Sequence, residues 1–149
     1  MANTYNNIGL VYFKQGKYEM ALKLYEKCLA IHIKARGGDH PSAAPAHNNI
    51  ANVFRKQGKY EMALELYAKC LAIEIETLGE GHPSVANTYG NVAVAKCDMA
   101  GVLEKQGELA RAGGLFRESA AIFSKLHGEK HEKTLNALKG VRRCERGAA

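Results

Sequence analysis

Several features that mark other protein classes are missing from this chain of 149 residues. No run of apolar residues approaches the roughly 20 that a membrane-spanning helix needs, and residues 1–10 have neither the charged start nor the apolar centre of a secretion signal. These absences predict a cytoplasmic protein without a membrane partner. Hydrophobic residues make up 46% of the chain and charged residues 24%, which argues against disorder, and the length suits a single domain.

Motifs typical of metal sites, redox centres and active sites are also missing. The four cysteines show no paired short spacing of the kind found in zinc sites and redox dithiols, so we expect free thiols at Cys28, Cys70, Cys97 and Cys144. The sequence offers no nucleophile with a nearby base and no paired carboxylates in a special context. Residues 37–39, Gly-Gly-Asp, do not follow a strand and therefore do not resemble a phosphate-binding loop. We expect neither an enzyme nor a cofactor.

The net charge of +6 is spread along the chain and mixed in sign. Residues 1–42, 43–84 and 85–149 carry net charges of +3, −1 and +4. The one local basic run, residues 139–146, suits the last turns of a solvated helix, where positive groups complement the macrodipole. Nucleic acid is an option that only the net charge supports, and we do not expect it as the partner.

What the sequence does contain is a repeat. Residues 15–22, Gln-Gly-Lys-Tyr-Glu-Met-Ala-Leu, recur unchanged as residues 57–64, a shift of 42. A third copy begins at residues 86–91 and resumes at residues 106–112, and a partial fourth copy follows His131. A fixed period of this length is typical of stacked repeat architectures.

Each unit is predicted to be two amphipathic helices. Apolar and small residues fall at helical spacing before and after a break at Gly16, where a glycine supplies the tight turn. The first helix presents Tyr5, Ile8, Gly9 and Tyr12 to the core, and the second continues with Tyr18, Ala21, Leu22, Tyr25, Cys28 and Leu29. Gly37 and Gly79 are expected to end the second helices. Pro41 and Pro83 are expected to begin the next units.

Gly9, Tyr12, Ala21, Tyr25 and Cys28 match the small–aromatic–alanine–aromatic–small pattern of the tetratricopeptide repeat, which the chain resembles over nearly its whole length. The 42-residue period resembles the kinesin light chain type. The resemblance implies an all-α, right-handed superhelical solenoid of about seven helices in antiparallel pairs. We expect one domain over residues 1–149, with units at about 2–43, 44–85 and 86–134 and a partial unit at 135–146.

The third unit departs from the period. It contains seven extra residues in its first helix, close to two helical turns, and the apolar spacing continues through them. We predict one long helix from about Ser84 to Lys105 whose extra turns project beyond the stack; a loop at residues 97–101 is the alternative. Gly113 and Gly114 lie inside the following helix, so we predict that this unit is the least stable.

The histidines His40, His82 and His131 recur at the repeat spacing. Each lies in the loop between units, and none has a second histidine or cysteine at ligand spacing on the same element. We therefore predict that they pack or cap within the loops, and we expect no metal.

A second, polar stripe runs along each first helix, turned away from the second helix. In the resembling family the first helices line the concave inner face, which implies that these stripes stack side by side there. Asparagine amides can grip the backbone of an extended peptide, and lysines can hold its carboxylates. The candidate peptide-binding residues are Asn7, Lys14, Asn49, Asn52, Arg55, Lys56, Asn87 and Asn91.

The resemblance supports some of these residues individually. The second asparagine of the family's Asn-Asn-Leu motif commonly contacts the peptide, and it corresponds to Asn7, Asn49 and Asn91. Kinesin light chains also hold acidic cargo residues beside a tryptophan with arginines, and Arg55 matches one such position. At another, the three units carry His32, Glu74 and Phe123 instead, so the resemblance does not extend to that cargo motif.

These features predict a protein-interaction scaffold or adaptor that binds an extended peptide of a protein partner. The asparagine stripe also suits a merely solvated helix face. The alternative function is structural: a segment of a longer solenoid, or a chain that self-associates through its end helices, with no ligand in the groove.

Overall fold

The computed structural model describes all 149 residues and contains seven α-helices and no strands. The helices are α1 (Ala2–Lys14), α2 (Tyr18–Arg36), α3 (Ala44–Lys56), α4 (Tyr60–Leu78), α5 (Pro83–Lys105), α6 (Leu109–His127) and α7 (Glu132–Ala148). A short 3₁₀ turn, Pro41–Ala43, leads into α3. The predicted all-α class and the number of helices are confirmed.

Glycines with positive φ end the first helix of each pair. Gly16 has φ of 74° and Gly58 has φ of 77°, in the left-handed region that side chains with a Cβ rarely adopt. The next residue then donates its backbone N–H back to the helix: from Lys17 to the Tyr12 carbonyl at 2.9 Å, and from Lys59 to the Phe54 carbonyl at 2.9 Å. The predicted turn is confirmed in both units.

The three recurrent histidines cap the helices that follow them. His40 Nδ1 accepts a hydrogen bond from the Ser42 backbone N–H at 3.2 Å, and His82 Nδ1 accepts one from Ser84 at 3.1 Å. His131 Nδ1 does the same for Lys133 at 3.2 Å. Each ring therefore satisfies a backbone donor that the first helical turn leaves unpaired, which confirms the predicted capping role.

The chain divides into two compact units, residues Met1–Thr88 and Tyr89–Ala149. In the first unit, α2 packs against both α1 and α3, and the core between them is formed by Ala21, Tyr25, Ile50 and Val53. A Cβ placed on Gly9 would lie 2.7 Å from the Tyr25 ring. Gly9 therefore allows α1 and α2 to approach closely. The single domain over residues 1–149 stays a prediction.

One predicted core residue is exposed. Ile8 is 43% exposed, whereas Ile50, at the same position of the second repeat, is 5% exposed. The same difference separates Val11, 53% exposed, from the fully buried Val53. Ile50 and Val53 are covered by α2, but no helix of the chain covers the corresponding face of α1. Placing Ile8 in the core was therefore wrong.

The insertion in the third unit is helical. α5 runs without interruption for 23 residues, whereas α1 and α3 have 13 each, so the long helix is confirmed and the loop at residues 97–101 is wrong. The extra turns do not project as predicted, because no residue from 92 to 98 is exposed and Ala93 and Ala95 are fully buried. In the second unit, Ala93 packs with Ala120, Phe123 and Ala137 of α6 and α7.

Ion pairs hold the last helix of the second unit. Arg143 donates two hydrogen bonds to the Glu104 carboxylate, at 2.8 and 3.0 Å, and its guanidinium lies 5.7 Å from the centre of the Phe116 ring. Arg117 pairs with Glu145 at 2.9 Å. The basic run that ends the chain is thus partly engaged in packing α7, while its other cations face solvent.

The two glycines Gly114 and Gly140 should respond oppositely to alanine. A Cβ on Gly114 meets no atom within 4 Å, so Gly114→Ala is expected to raise the free energy of unfolding by roughly 1 kcal/mol through helix propensity. A Cβ on Gly140 would lie 2.7 Å from Phe116, so Gly140→Ala should lower it by about 1–3 kcal/mol. Urea unfolding measures both, and a gain in stability for Gly140→Ala would contradict the packing described.

Candidate functional site

The polar stripe predicted on α1 faces solvent. Asn7 and Lys14 are exposed, and so is Asn3 one turn earlier. Leu10 lies within the same stripe and is 41% exposed. The side chains of α1 that could contact a ligand are therefore accessible, with an apolar residue between the amides and the lysine.

Asn49 links this stripe to the next one. Its Nδ2 donates a hydrogen bond of 2.7 Å to Oδ1 of Asn6, which joins the first helix of the second repeat to the first helix of the first repeat. Asn49 is half-buried and keeps its own carbonyl oxygen for another partner. Sequence reasoning missed Asn6. The available signal was the Asn-Asn pair that occurs in both repeats at residues 6–7 and 48–49.

Asn52 contacts the second helix of its own repeat, so placing it on a stripe turned away from that helix was wrong. The hydroxyl of Tyr67, in α4, donates a hydrogen bond of 2.6 Å to Oδ1 of Asn52. Tyr67 is fully buried and Asn52 is half-buried, so this bond connects the core to the polar stripe. Tyr67 was not singled out from the sequence, where its repeat counterpart Tyr25 was assigned to the core.

The cationic residues cluster at the ends of α1 and α3. Lys14 and Lys56 are the last residues of these helices and are exposed, where positive charge complements the macrodipole. Arg55 is half-buried and engaged within the protein. The lysines of the following turns lie over aromatic rings: Lys17 is 5.7 Å from the Tyr12 ring centre, and Lys59 is 5.6 Å from that of Phe54.

The last two predicted residues fall in different compact units. Asn87 belongs to the first unit and is exposed. Asn91 belongs to the second unit, where it is half-buried and interacts within the protein. Six of the eight predicted residues lie on α1 and α3 and therefore belong, with Asn87, to the first compact unit.

Glu74 occupies the position at which the resembling family carries a cargo-binding arginine, and it is buried. The Thr88 hydroxyl donates a hydrogen bond of 2.8 Å to its carboxylate. The Cys70 thiol is part of the same cluster, 3.7 Å from the Thr88 hydroxyl and donating at 3.3 Å to the Ala44 carbonyl. These contacts give Glu74 a role inside the unit.

The predicted residues of the first unit are therefore amides and cations, which can exchange hydrogen bonds with polar groups and attract carboxylates. No group of three or more histidine, cysteine, aspartate or glutamate side chains is placed to hold a metal ion. A depression of about 500 Å³ lies in the second unit between α6 and α7, lined in part by Arg117, Ala121 and Leu138. It contains none of the predicted residues. None of the seven helices combines the length and apolar character that crossing a membrane requires.

Comparison with known families supports the repeat fold. The family described as "Tetratricopeptide repeat" matches residues 1–73 and 42–99, which together cover 99 of the 149 residues. No curated protein matches the chain.

Solved structures share the fold at low sequence identity. The TPR-like repeats of a candidate kinesin light chain from Podosopora anserina are 23% identical, with a TM-score of 0.62, over 98% of this chain and 66% of that one. BtubC (BKLC) from P. vanneervenii is 22% identical, with a TM-score of 0.64, over 99% and 56%. The N-terminal domain of stress-induced protein-1 from C. elegans is 22% identical, with a TM-score of 0.57, over 97% and 94%. The chain thus spans about two thirds of the Podosopora chain and little more than half of the BtubC chain.

Cys70 should be chemically inert in the folded protein. Burial raises the pKa of its thiol to about 12, so the reactive thiolate is absent near neutral pH. Because this pKa lies above that of an unfolded cysteine, near 8.5, the buried thiol's contribution to stability is complete below about pH 8.5 and is lost as the pH rises towards 12. Alkylation followed by mass spectrometry at pH 8 should modify Cys70 only in urea. Equal rates in the folded and unfolded chain would contradict its burial.

Proposed function

Since the chain belongs to the tetratricopeptide repeat family, with repeats of the kinesin light chain type, we propose that it is an adaptor that binds an extended peptide of a partner protein. Proteins with this fold generally act as protein-interaction scaffolds. The proposed surface is the polar stripe of α1 and α3 in the first unit. The proposal includes a cytoplasmic location and no catalytic activity or cofactor.

The observation that carries the proposal is the hydrogen bond from Asn49 to Asn6. At 2.7 Å it brings the amide stripes of two successive first helices next to each other, with Asn7 exposed beside them. A merely solvated face needs no such connection between helices. Neighbouring amides are suited to an extended peptide, because each supplies both a donor and an acceptor to main-chain groups.

The cations at the ends of α1 and α3 indicate which groups of a peptide would bind near them. Lys14 and Lys56 are exposed at equivalent positions, and Arg55 lies beside Lys56. We expect these cations to favour a carboxylate side chain or a terminal carboxylate near this end of the stripe. Asn87 extends the proposed surface within the first unit, and Asn91 is its proposed counterpart in the second.

A peptide-display selection tests this function. The native chain should enrich a consensus peptide, and Asn7→Ala/Asn49→Ala should weaken binding of that peptide by about tenfold or more, because each lost hydrogen bond removes roughly 1 kcal/mol. Asn136→Ala is the matched control, since Asn136 is an exposed asparagine on α7 outside the proposed surface. Circular dichroism confirms that the variants are folded. If the native chain enriches no peptide, or if Asn136→Ala weakens binding equally, the groove proposal is wrong.

The exposed face of α1 favours a second candidate, a structural or self-associating role. Ile8 and Val11 are exposed where the second repeat buries Ile50 and Val53 beneath a helix. An apolar helix face of this kind suits a covering helix from another unit or another copy of the chain.

Sedimentation velocity at increasing protein concentration tests the second candidate. Self-association through α1 should be lost in Ile8→Lys/Val11→Lys, because two charges cannot be buried at such an interface without partners. Met62→Lys is the matched control, since Met62 is equally exposed on α4. A native chain that stays monomeric throughout would exclude self-association.

A further inference from the structure

We infer that Tyr67 is a positioning residue for Asn52: its buried hydroxyl holds the Asn52 amide so that the amide N–H groups face a bound peptide. The inference rests on the proposed function and names part of its geometry. Tyr67 touches no proposed ligand itself. Its action passes through Asn52, which lies on the peptide-binding stripe.

The contact is specific in direction. The Tyr67 hydroxyl reaches Oδ1 of Asn52 at 2.6 Å, from a side chain that is fully buried in α4. With its oxygen bonded to the core, Asn52 presents the remaining Nδ2 donors. Asn52 is half-buried, so part of the residue remains accessible while its oxygen is bonded to Tyr67.

Asn49, one helical turn earlier, is held with the opposite polarity. Its Nδ2 is bonded to Asn6, which leaves its carbonyl oxygen as an acceptor. A donor at Asn52 and an acceptor at Asn49 complement the carbonyl and N–H groups of one extended peptide. Recognition through this pair therefore reads the main chain, while the nearby lysines and arginine read charge.

The other repeats show that packing does not require this bond. In the first repeat, Tyr25 corresponds to Tyr67 and is also buried, but Leu10 stands at the position of Asn52. In α6, the corresponding residue is Phe116, which is buried and has no hydroxyl. The aromatic ring fills the core in all three helices. Only the second repeat has both a tyrosine hydroxyl at the position of Tyr67 and an asparagine at the position of Asn52.

Fixing the amide before the ligand arrives should increase affinity. A free asparagine side chain loses rotational freedom when it binds, whereas Asn52 is already ordered by Tyr67. Removing the hydroxyl should release the amide to other rotamers and leave a donor no longer directed at the ligand. We expect Tyr67→Phe to weaken binding of the selected consensus peptide by about fivefold, the effect of one neutral hydrogen bond.

The experiment compares Tyr67→Phe with Tyr25→Phe. The second variant is a matched control, because it removes an equally buried hydroxyl from the repeat in which Leu10 stands at the position of Asn52. The first measurement needs no ligand: side-chain amide signals of Asn52 in ¹H–¹⁵N NMR spectra should shift in Tyr67→Phe and remain unchanged in Tyr25→Phe. The second is the dissociation constant of the consensus peptide, which should rise about fivefold only in Tyr67→Phe. Urea unfolding of both variants reports any loss of stability separately.

A double-mutant cycle separates positioning from general packing. In an Asn52→Ala background, Tyr67→Phe should have no further effect on peptide affinity. The inference is overturned if the Asn52 amide signals do not move, or if Tyr67→Phe weakens binding equally with and without Asn52. Failure of the proposed function looks different: no consensus peptide is enriched, which removes the binding role, although the amide signals still respond to the hydroxyl.

Discussion

The close packing of one aromatic ring against one very small residue is the constraint on which this fold depends. A Cβ on Gly9 would lie 2.7 Å from the Tyr25 ring, and a Cβ on Gly140 would lie 2.7 Å from Phe116. Helices that approach this closely bury one face of each helix completely, as Ala21 and Ala112 show. Positions of α1 outside this contact, such as Asn7 and Lys14, are exposed and can carry amides and charges.

Tyr67 shows how the packed and polar faces are connected. Its ring is buried in the core, and its hydroxyl donates a hydrogen bond to Asn52 on the polar stripe. Asn49 makes the equivalent connection along the stripe by bonding to Asn6. The two amides on α3 are therefore restrained by different neighbours, one from the core and one from the preceding repeat. A surface built in this way is ordered before a ligand binds, which lowers the entropy lost on binding.

Periodicity was sufficient to predict what depends on local sequence. The helix pairs, the glycine turns, the histidine caps and the continuous α5 follow from spacing and from conformational preferences that act within a few residues. Periodicity was not sufficient to predict burial and hydrogen bonds that depend on contacts between helices distant in sequence. Ile8 and Ile50 occupy the same repeat position, yet only Ile50 is covered by a helix. The burial of Ala93 and Ala95 and the bonds of Asn6 and Tyr67 likewise depend on which elements meet in space.

The first two repeats differ along their first helices and keep the turn that follows unchanged. The segment at residues 15–22 is repeated without change at 57–64, so the turn and the start of the second helix are under the same packing constraint in both. Phe13 of the first repeat lies 5.7 Å from Tyr18, ring centre to ring centre, and is replaced by Arg55 in the second. Leu10 is replaced by Asn52 in the same way. The exchange is not in one direction along the helix, because Asn3 of the first repeat is replaced by Pro45 in the second. Under the proposed function, the amide of Asn52 and the guanidinium of Arg55 make the second repeat the larger contributor to recognition.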